Sequence, residues 1–205
     1  MDTVICVSRQ YGSGGRIFAE KLANHYGIPL YDKEIIEKTA QKSGISKEHF
    51  EKADEKRNSS FLLTMIGTQY GMSAPLDVNH IITDDKLFVH TAETIRELAK
   101  EPCVILGRCA DDILNGQRKL LRIFICANIP NKVASIMKRF EGITEKQALS
   151  LMKKQDKHRA NYYNYYTGKN WGEADNYDVC INTSQITLDE CVLMIDGLLK
   201  TEKFN

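Results

Sequence analysis

The residues best suited to chemistry stand near the front of the chain. There the apolar run Thr3-Val4-Ile5-Cys6-Val7 leads into Ser8-Arg9-Gln10-Tyr11-Gly12-Ser13-Gly14-Gly15-Arg16 and then into a helical pattern. That layout binds phosphate. A buried strand ends, glycines let successive backbone N–H groups converge in a concave nest, and the following helix turns the positive end of its dipole toward an anion. The loop departs from the usual signature, G-x-x-x-x-G-K-[ST], in which a lysine after the last glycine neutralises the β- and γ-phosphates. With Gly12-Ser13-Gly14 on the glycine core, Gly15 stands where the lysine belongs, Arg9 where the first glycine belongs, and Arg16 one place late. Glycine-rich turns are common plain connections. Here the place after the first strand, the flanking arginines and the helix directly behind favour a bound phosphate.

Three further places carry candidate chemistry. In the cationic tract from Lys153 to Lys169, Asp156, Arg159 and Tyr163 recur at helical spacing and share one face. A guanidinium there can grip a phosphate in two parallel bonds, and a neighbouring carboxylate can orient it or meet an amino group. The bland alternative is a solvated helix surface. Gly107-Arg108 follows an apolar run that reads as a central strand, so Arg108 falls at a strand's carboxyl end. Asp32, between Tyr31 and Lys33, is a ligand group, a helix N-cap, or both together. Asp111 and Asp112 read as first-turn carboxylates complementing a helix dipole rather than as catalytic groups. The five histidines show no metal spacing with one another or with cysteines, so no metal-ligating residues are assigned. No nucleophile, base and orienting acid pattern is visible either.

The elements that must position these groups follow from hydrophobic patterning. Five short apolar runs read as strands: Thr3 to Val7, Ile28 to Tyr31, Cys103 to Leu106, Ile123 to Ala127 and Asp178 to Asn182. Helical patterns cover Arg16 to Tyr26, Lys33 to Lys42, Asp84 to Lys100, Asn131 to Phe140, Thr144 to Tyr163 and Leu188 to Lys200. Continuous apolar strands alternating with helices predict an α/β fold, a parallel sheet with helices on both faces. Ligands then bind at the carboxyl ends of the strands, which gathers Ser8 to Arg16, Tyr31 to Lys33 and Gly107 to Asp112 into one crevice. A helical insertion, at about residues 44–83, separates the second and third strands. Its apolar centre, Phe61-Leu62-Leu63-Thr64-Met65-Ile66, either covers an acceptor substrate or buries against a second subunit. At 205 residues the chain suits a single domain.

Lys+Arg 28 against Asp+Glu 27 leaves no global field to favour nucleic acid or an anionic membrane. No run is long enough to span a membrane, and the N-terminus has no export signal pattern. The six cysteines are scattered without a C-x-x-C pair, and four sit in predicted strands as small buried hydrophobes. A reduced, cytoplasmic protein is expected.

The ordered set of motifs resembles the cytidylate kinase-like proteins. It comprises Ser8 to Arg16, Tyr31-Asp32-Lys33-Glu34-Ile35-Ile36, Gly107-Arg108-Cys109-Ala110-Asp111, Asp156 to Tyr163, and Tyr165-Tyr166-Thr167-Gly168-Lys169-Asn170-Trp171-Gly172. The resemblance implies a three-layer P-loop kinase fold with a five-stranded parallel sheet, an acceptor-binding helical region after the second strand, and a lid at about residues 142–172. It implies phosphoryl transfer from ATP with Mg²⁺ to a nucleoside monophosphate, most plausibly CMP or dCMP. The ATP phosphates would lie over Gly12, Ser13, Gly14, Gly15, Arg16 and Ile17. The acceptor would lie near Asp32 and Arg108, and the lid would bring Arg159, with Asp156, onto the transferring phosphoryl group, with Tyr163 also on the substrate side. Family kinases carry lysine at the Gly15 position, a small hydroxyl residue shortly after it, and aspartate where this chain has Cys109. Arg16 or Arg9 is expected to supply the lysine's charge. A nucleotide-binding sensor with little transfer, and a kinase for another small metabolite, remain alternatives, as do a monomer and a homodimer formed through the insertion.

Overall fold

The computed structural model describes residues 2–43 and 78–201. They form two compact units, residues 33–97 and the remainder. The larger unit is built on five parallel strands in the order β2-β3-β1-β4-β5. These are β1 (Val4–Arg9), β2 (Leu30–Tyr31), β3 (Val104–Leu106), β4 (Leu120–Cys126) and β5 (Val179–Asn182). The α/β reading and the parallel sheet hold, with boundaries shifted for local reasons. Strand β2 begins only at Leu30, because Pro29 has no N–H and joins the ladder solely through its carbonyl, which accepts from Val104 N at 2.9 Å. Strand β1 runs on to Arg9, paired with Ile125 of β4. Arg9 is therefore the last residue of a strand and not part of the free loop.

Strands β1, β3 and β4 bury both faces. Ile5, Val7, Val104, Leu106, Leu121, Ile123 and Ile125 share a core with Phe18, Leu22, Cys191 and Ile195. The latter come from α1 (Gly15–Tyr26) and from a C-terminal helix, Leu188–Leu199. Burial of a side chain such as Phe18 contributes about 2–3 kcal/mol. The intervening Val4, Cys6, Ile105 and Phe124 are buried as well, which is why these strands read as continuous apolar runs. Phe124 meets Trp171 and Tyr177 at centroid distances of 5.3 and 4.9 Å. Edge strand β5 has one solvated face, so Cys180 is exposed, contrary to the expectation that every strand cysteine is buried.

In the smaller unit, α2 (Lys33–Ser43) and α3 (Val78–Leu98) are joined by a 3.0 Å bond from Thr39 Oγ1 to Thr94 Oγ1. The α3 helix starts earlier than the Asp84 expected. The expected insertion at 44–83 and its Phe61–Ile66 centre lie almost wholly outside the described residues.

After β3 comes the single turn α4 (Ala110–Ile113), and after β4 comes α5 (Ile129–Arg139), with Asn128 as its N-cap and Pro130 in its first turn. The next helix, α6 (Glu145–Thr167), opens on a capping box between Thr144 and Gln147 and ends at Gly168 in the left-handed conformation. Helix α6 thus runs four residues past the expected Tyr163 end, and it occupies most of the segment expected to form the lid. Val133 and Ile136 of α5 pack on Ala148 and Met152 of α6. The C-terminal helix, α7 (Leu188–Leu199), carries a second capping box, Thr187 with Glu190.

Candidate active site

The order β2-β3-β1 places the carboxyl ends of three strands side by side, and the candidate residues gather there. Helix α1 starts after Gly14, whose φ of 80° is left-handed and which offers no side-chain cap. Its first-turn N–H groups therefore face an anion position without an internal acceptor. The loop is braced from below. Ser13 Oγ donates to Gln10 O at 2.8 Å, Gln10 N donates to Ile125 O at 2.9 Å, and Thr183 Oγ1 donates to Ser13 O at 2.9 Å.

Arg9 feels the charges of Arg16, Arg108 and Arg159 and of one carboxylate, Asp32. Arg16 Nη1 donates to Asp32 Oδ2 at 2.9 Å, and Arg9 Nη2 stands 4.0 Å from Asp32 Oδ1. Burial, and next the positive charge of Arg159, bring the Arg9 guanidinium down to about 9, against the pull of Asp32. It stays cationic at neutral pH in a place where cations repel one another, which is the electrostatic profile of an anion site. Arg16 is the more open of the two candidates for the missing lysine. Its side chain is 52% exposed and held by Glu20 and Asp32, whereas Arg9 is 19% exposed.

The turn after β3 is strained. Gly107, Arg108 and Cys109 take successive φ values of 76°, 58° and 57°. Among the described residues, Arg108 and Cys109 are the two non-glycine positions with positive φ. Each costs about 1–2 kcal/mol, and such strain persists where it aims a side chain.

Helix α6 reaches the front of the loop. Asp156 Oδ1 accepts from Tyr11 N at 2.6 Å, and Arg159 Nη1 donates to Arg9 O at 2.8 Å. The Arg159 guanidinium also lies 5.5 Å from the Tyr11 ring centroid, with Arg139 at 5.6 Å. Asp156 and Arg159 are thus partners of the loop itself as well as of one another, at 3.8 Å. Tyr163, expected beside them, is not brought to this group. It is buried and donates its hydroxyl to Asp111 Oδ2 at 2.8 Å. Ile17 projects from α1 half exposed.

Two buried ionisable side chains make contacts that local spacing did not suggest. Lys132 of α5 is buried, its Nζ donating to Gln10 Oε1 at 2.9 Å and lying 3.6 Å from Asp156 Oδ2. Its signal was its place four residues before Ile136, on the apolar stripe of α5. The second is Asp111, whose carboxyl is pushed up mainly by burial, against the opposing bond from Tyr163. A carboxyl whose folded pKa lies above its unfolded value holds more protons folded than unfolded. Its contribution to stability therefore grows as pH falls through the folded pKa and is lost as pH rises past it. Asp111→Asn keeps an acceptor for Tyr163 without the buried charge. The variant is expected to be the more stable protein at neutral and higher pH, with the gap closing as pH falls toward the ordinary aspartate range of about 3.9. Urea unfolding at a series of pH values checks this, and parallel curves would contradict it.

A family model described as the cytidylate kinase-like family matches residues 4–185. The chain belongs to that family. Among curated cytidylate kinases, that of Pyrococcus horikoshii is 28% identical over 89% of this chain and 80% of its own length. That of Methanosarcina acetivorans is 25% identical over 97% of this chain and 99% of its own. An uncharacterized protein from Eubacterium ventriosum superposes with a TM-score of 0.72 at 30% identity, covering 98% of this chain and 99% of that one. Shikimate kinase from Bacteroides thetaiotaomicron shares the fold, with a TM-score of 0.52 at 12% identity over 98% of this chain and 100% of its own. The cytidylate kinase-like fold accounts for the position of the glycine loop between β1 and α1. Among the described residues, no helix is long and apolar enough to cross a membrane.

Proposed function

We propose that this member of the family transfers the γ-phosphoryl group of ATP to a nucleoside monophosphate, CMP or dCMP by preference, giving the diphosphate. The single observation that carries this reading is the gathering of cations at the glycine loop, where Arg9 feels Arg16, Arg108 and Arg159 beside the Asp32 carboxylate. Phosphoryl transfer asks mainly for positioning and neutralisation of charge on phosphate oxygens, and that set supplies both. In the step, an oxygen of the acceptor phosphate bonds to the γ-phosphorus. The bond from that phosphorus to the β–γ bridging oxygen breaks, and its electron pair leaves with ADP. A cytoplasmic setting, where thiols stay reduced, fits the free cysteines.

Magnesium fits poorly as a resident ion. The described residues contain no group of three or more His, Cys, Asp and Glu placed to hold a metal. Asp32 is already bonded to Arg16, and Arg16 stands where a magnesium-binding hydroxyl would be expected. Magnesium would instead arrive with the donor, as MgATP.

A second reading is favoured by Asp32 itself. A carboxylate among the arginines can take the proton of a hydroxyl acceptor, a service that a phosphate acceptor does not need. Purified protein with MgATP and each of CMP, dCMP, UMP, AMP and GMP, resolved by chromatography, tests the proposal. Diphosphate from CMP or dCMP ahead of the others is the expected result. Diphosphate from none of them, with ATP still bound, overturns it in favour of a hydroxylated acceptor or a nucleotide sensor.

A further inference from the structure

Position 15 is closed to any side chain. A Cβ on Gly15 would lie 2.4 Å from Arg9 Cβ, 3.0 Å from Arg9 Cγ and 3.3 Å from Ile125 Cβ. The first of these is far inside van der Waals contact between carbons. The stem of Arg9 therefore occupies the space from which a residue-15 side chain would spring. Its root is fixed, because Arg9 is the last paired residue of β1. Its guanidinium lies over the end of β3, where a Cβ on Gly107 would come 2.5 Å from Nη1. There Arg9 Nε is buried without a hydrogen-bond partner. A buried donor in that state is costly until an acceptor arrives. Asp32 does not discharge it, standing 4.0 Å from Nη2 while bonded to Arg16 at 2.9 Å.

We infer that the loop's cation has moved from position 15 to position 9, so that Arg9, rooted in β1, takes the lysine's place and binds the β- and γ-phosphate oxygens of the donor. Glycine and cation have exchanged ends of the loop. The exchange explains why arginine stands where the signature has its first glycine: with residue 15 reduced to a hydrogen, the space opens for a stem entering from the strand. A planar guanidinium then offers two parallel N–H bonds where an ammonium offers a point charge. In the transfer step proposed above it balances the charge left on the bridging oxygen without giving up a proton.

The inference deepens the phosphoryl-transfer reading, and its test is kept independent of any acceptor. Binding of inorganic tripolyphosphate and of ATP to the full chain is measured by calorimetry for the wild type, Arg9→Gln, Arg9→Gly, Gly15→Lys and the double variant Arg9→Gly/Gly15→Lys. Arg9→Gln keeps most of the stem and removes the charge, and it is expected to weaken tripolyphosphate by about ten- to a hundredfold. Gly15→Lys alone is expected to bind worse than wild type, since both side chains compete for one space. The double variant is expected to bind more tightly than either single change. Unaltered binding by Arg9→Gln overturns the inference, as does a folded double variant no better than Arg9→Gly. If tripolyphosphate depends on Arg9 while no acceptor yields a diphosphate, the inference stands and the kinase reading falls. If CMP is phosphorylated as fast by Arg9→Gln as by wild type, the kinase reading stands and the inference falls.

Discussion

Gly107→Ala is expected to slow phosphoryl transfer by about a hundredfold or more, although residue 107 has no side chain and no polar group beyond its backbone. The reason is steric. A Cβ there would sit 2.5 Å from Arg9 Nη1, so the guanidinium must shift by about an ångström, and displacements of that size cost about two orders of magnitude when charge must meet a transferring group. The left-handed backbone adds a stability cost of about 1–2 kcal/mol, roughly 2–8 °C in melting temperature for a chain of this size. Gly116→Ala separates the two effects. Gly116 has a similar φ of 72°, and a Cβ there would meet nothing within 4 Å. It is expected to lose comparable stability and keep its turnover. Steady-state kinetics and thermal unfolding of the pair decide the matter, and equal turnover in both variants would remove Arg9's placement from the explanation.

Asp156→Ala is expected to give a large loss of stability, about 2–3 kcal/mol and roughly 5–10 °C. Two groups lose their partner at once. The Lys132 side chain is 7% exposed and would keep only the Gln10 amide oxygen, and the Tyr11 N–H would lose its 2.6 Å acceptor. A buried cation without its counter-charge costs more than the original pair contributed. Lys132→Met removes that cation while keeping an unbranched apolar stem, so the double variant Asp156→Ala/Lys132→Met is expected to recover more than half of the loss. A double-mutant cycle by chemical denaturation measures the coupling. Additive losses would show that Lys132 does not depend on Asp156.

Both predictions turn on contacts that the sequence conceals. The strands were readable because β1, β3 and β4 are buried on both faces and leave unbroken apolar runs. The loop was readable because a strand, a glycine cluster and a helix follow one another within a few positions. Arg9 was legible as a cation but not as a strand residue. Its pairing with Ile125 depends on a segment more than a hundred positions away. Tyr11 and Asp156 are separated by 145 positions, so the bond between them leaves no trace in local spacing. Tyr163 shows the opposite hazard. Its helical register with Asp156 and Arg159 suggested a shared face, yet the neighbouring Asp111 claims its hydroxyl. Lys132 was hidden by its type, because lysine on a helix ordinarily marks the solvated side.

The contact between positions 9 and 15 also bears on descent. Gaining a lysine at 15 while Arg9 remains would drive a Cβ to 2.4 Å from the Arg9 stem, and losing the arginine first would leave the loop without either cation. No single replacement at these two positions leads from this loop to a lysine-bearing one through an intermediate that keeps both space and charge. If Arg9 is the loop's cation, positions 9 and 15 are expected to change together, and relatives that bear lysine at 15 are expected to carry a small residue at 9.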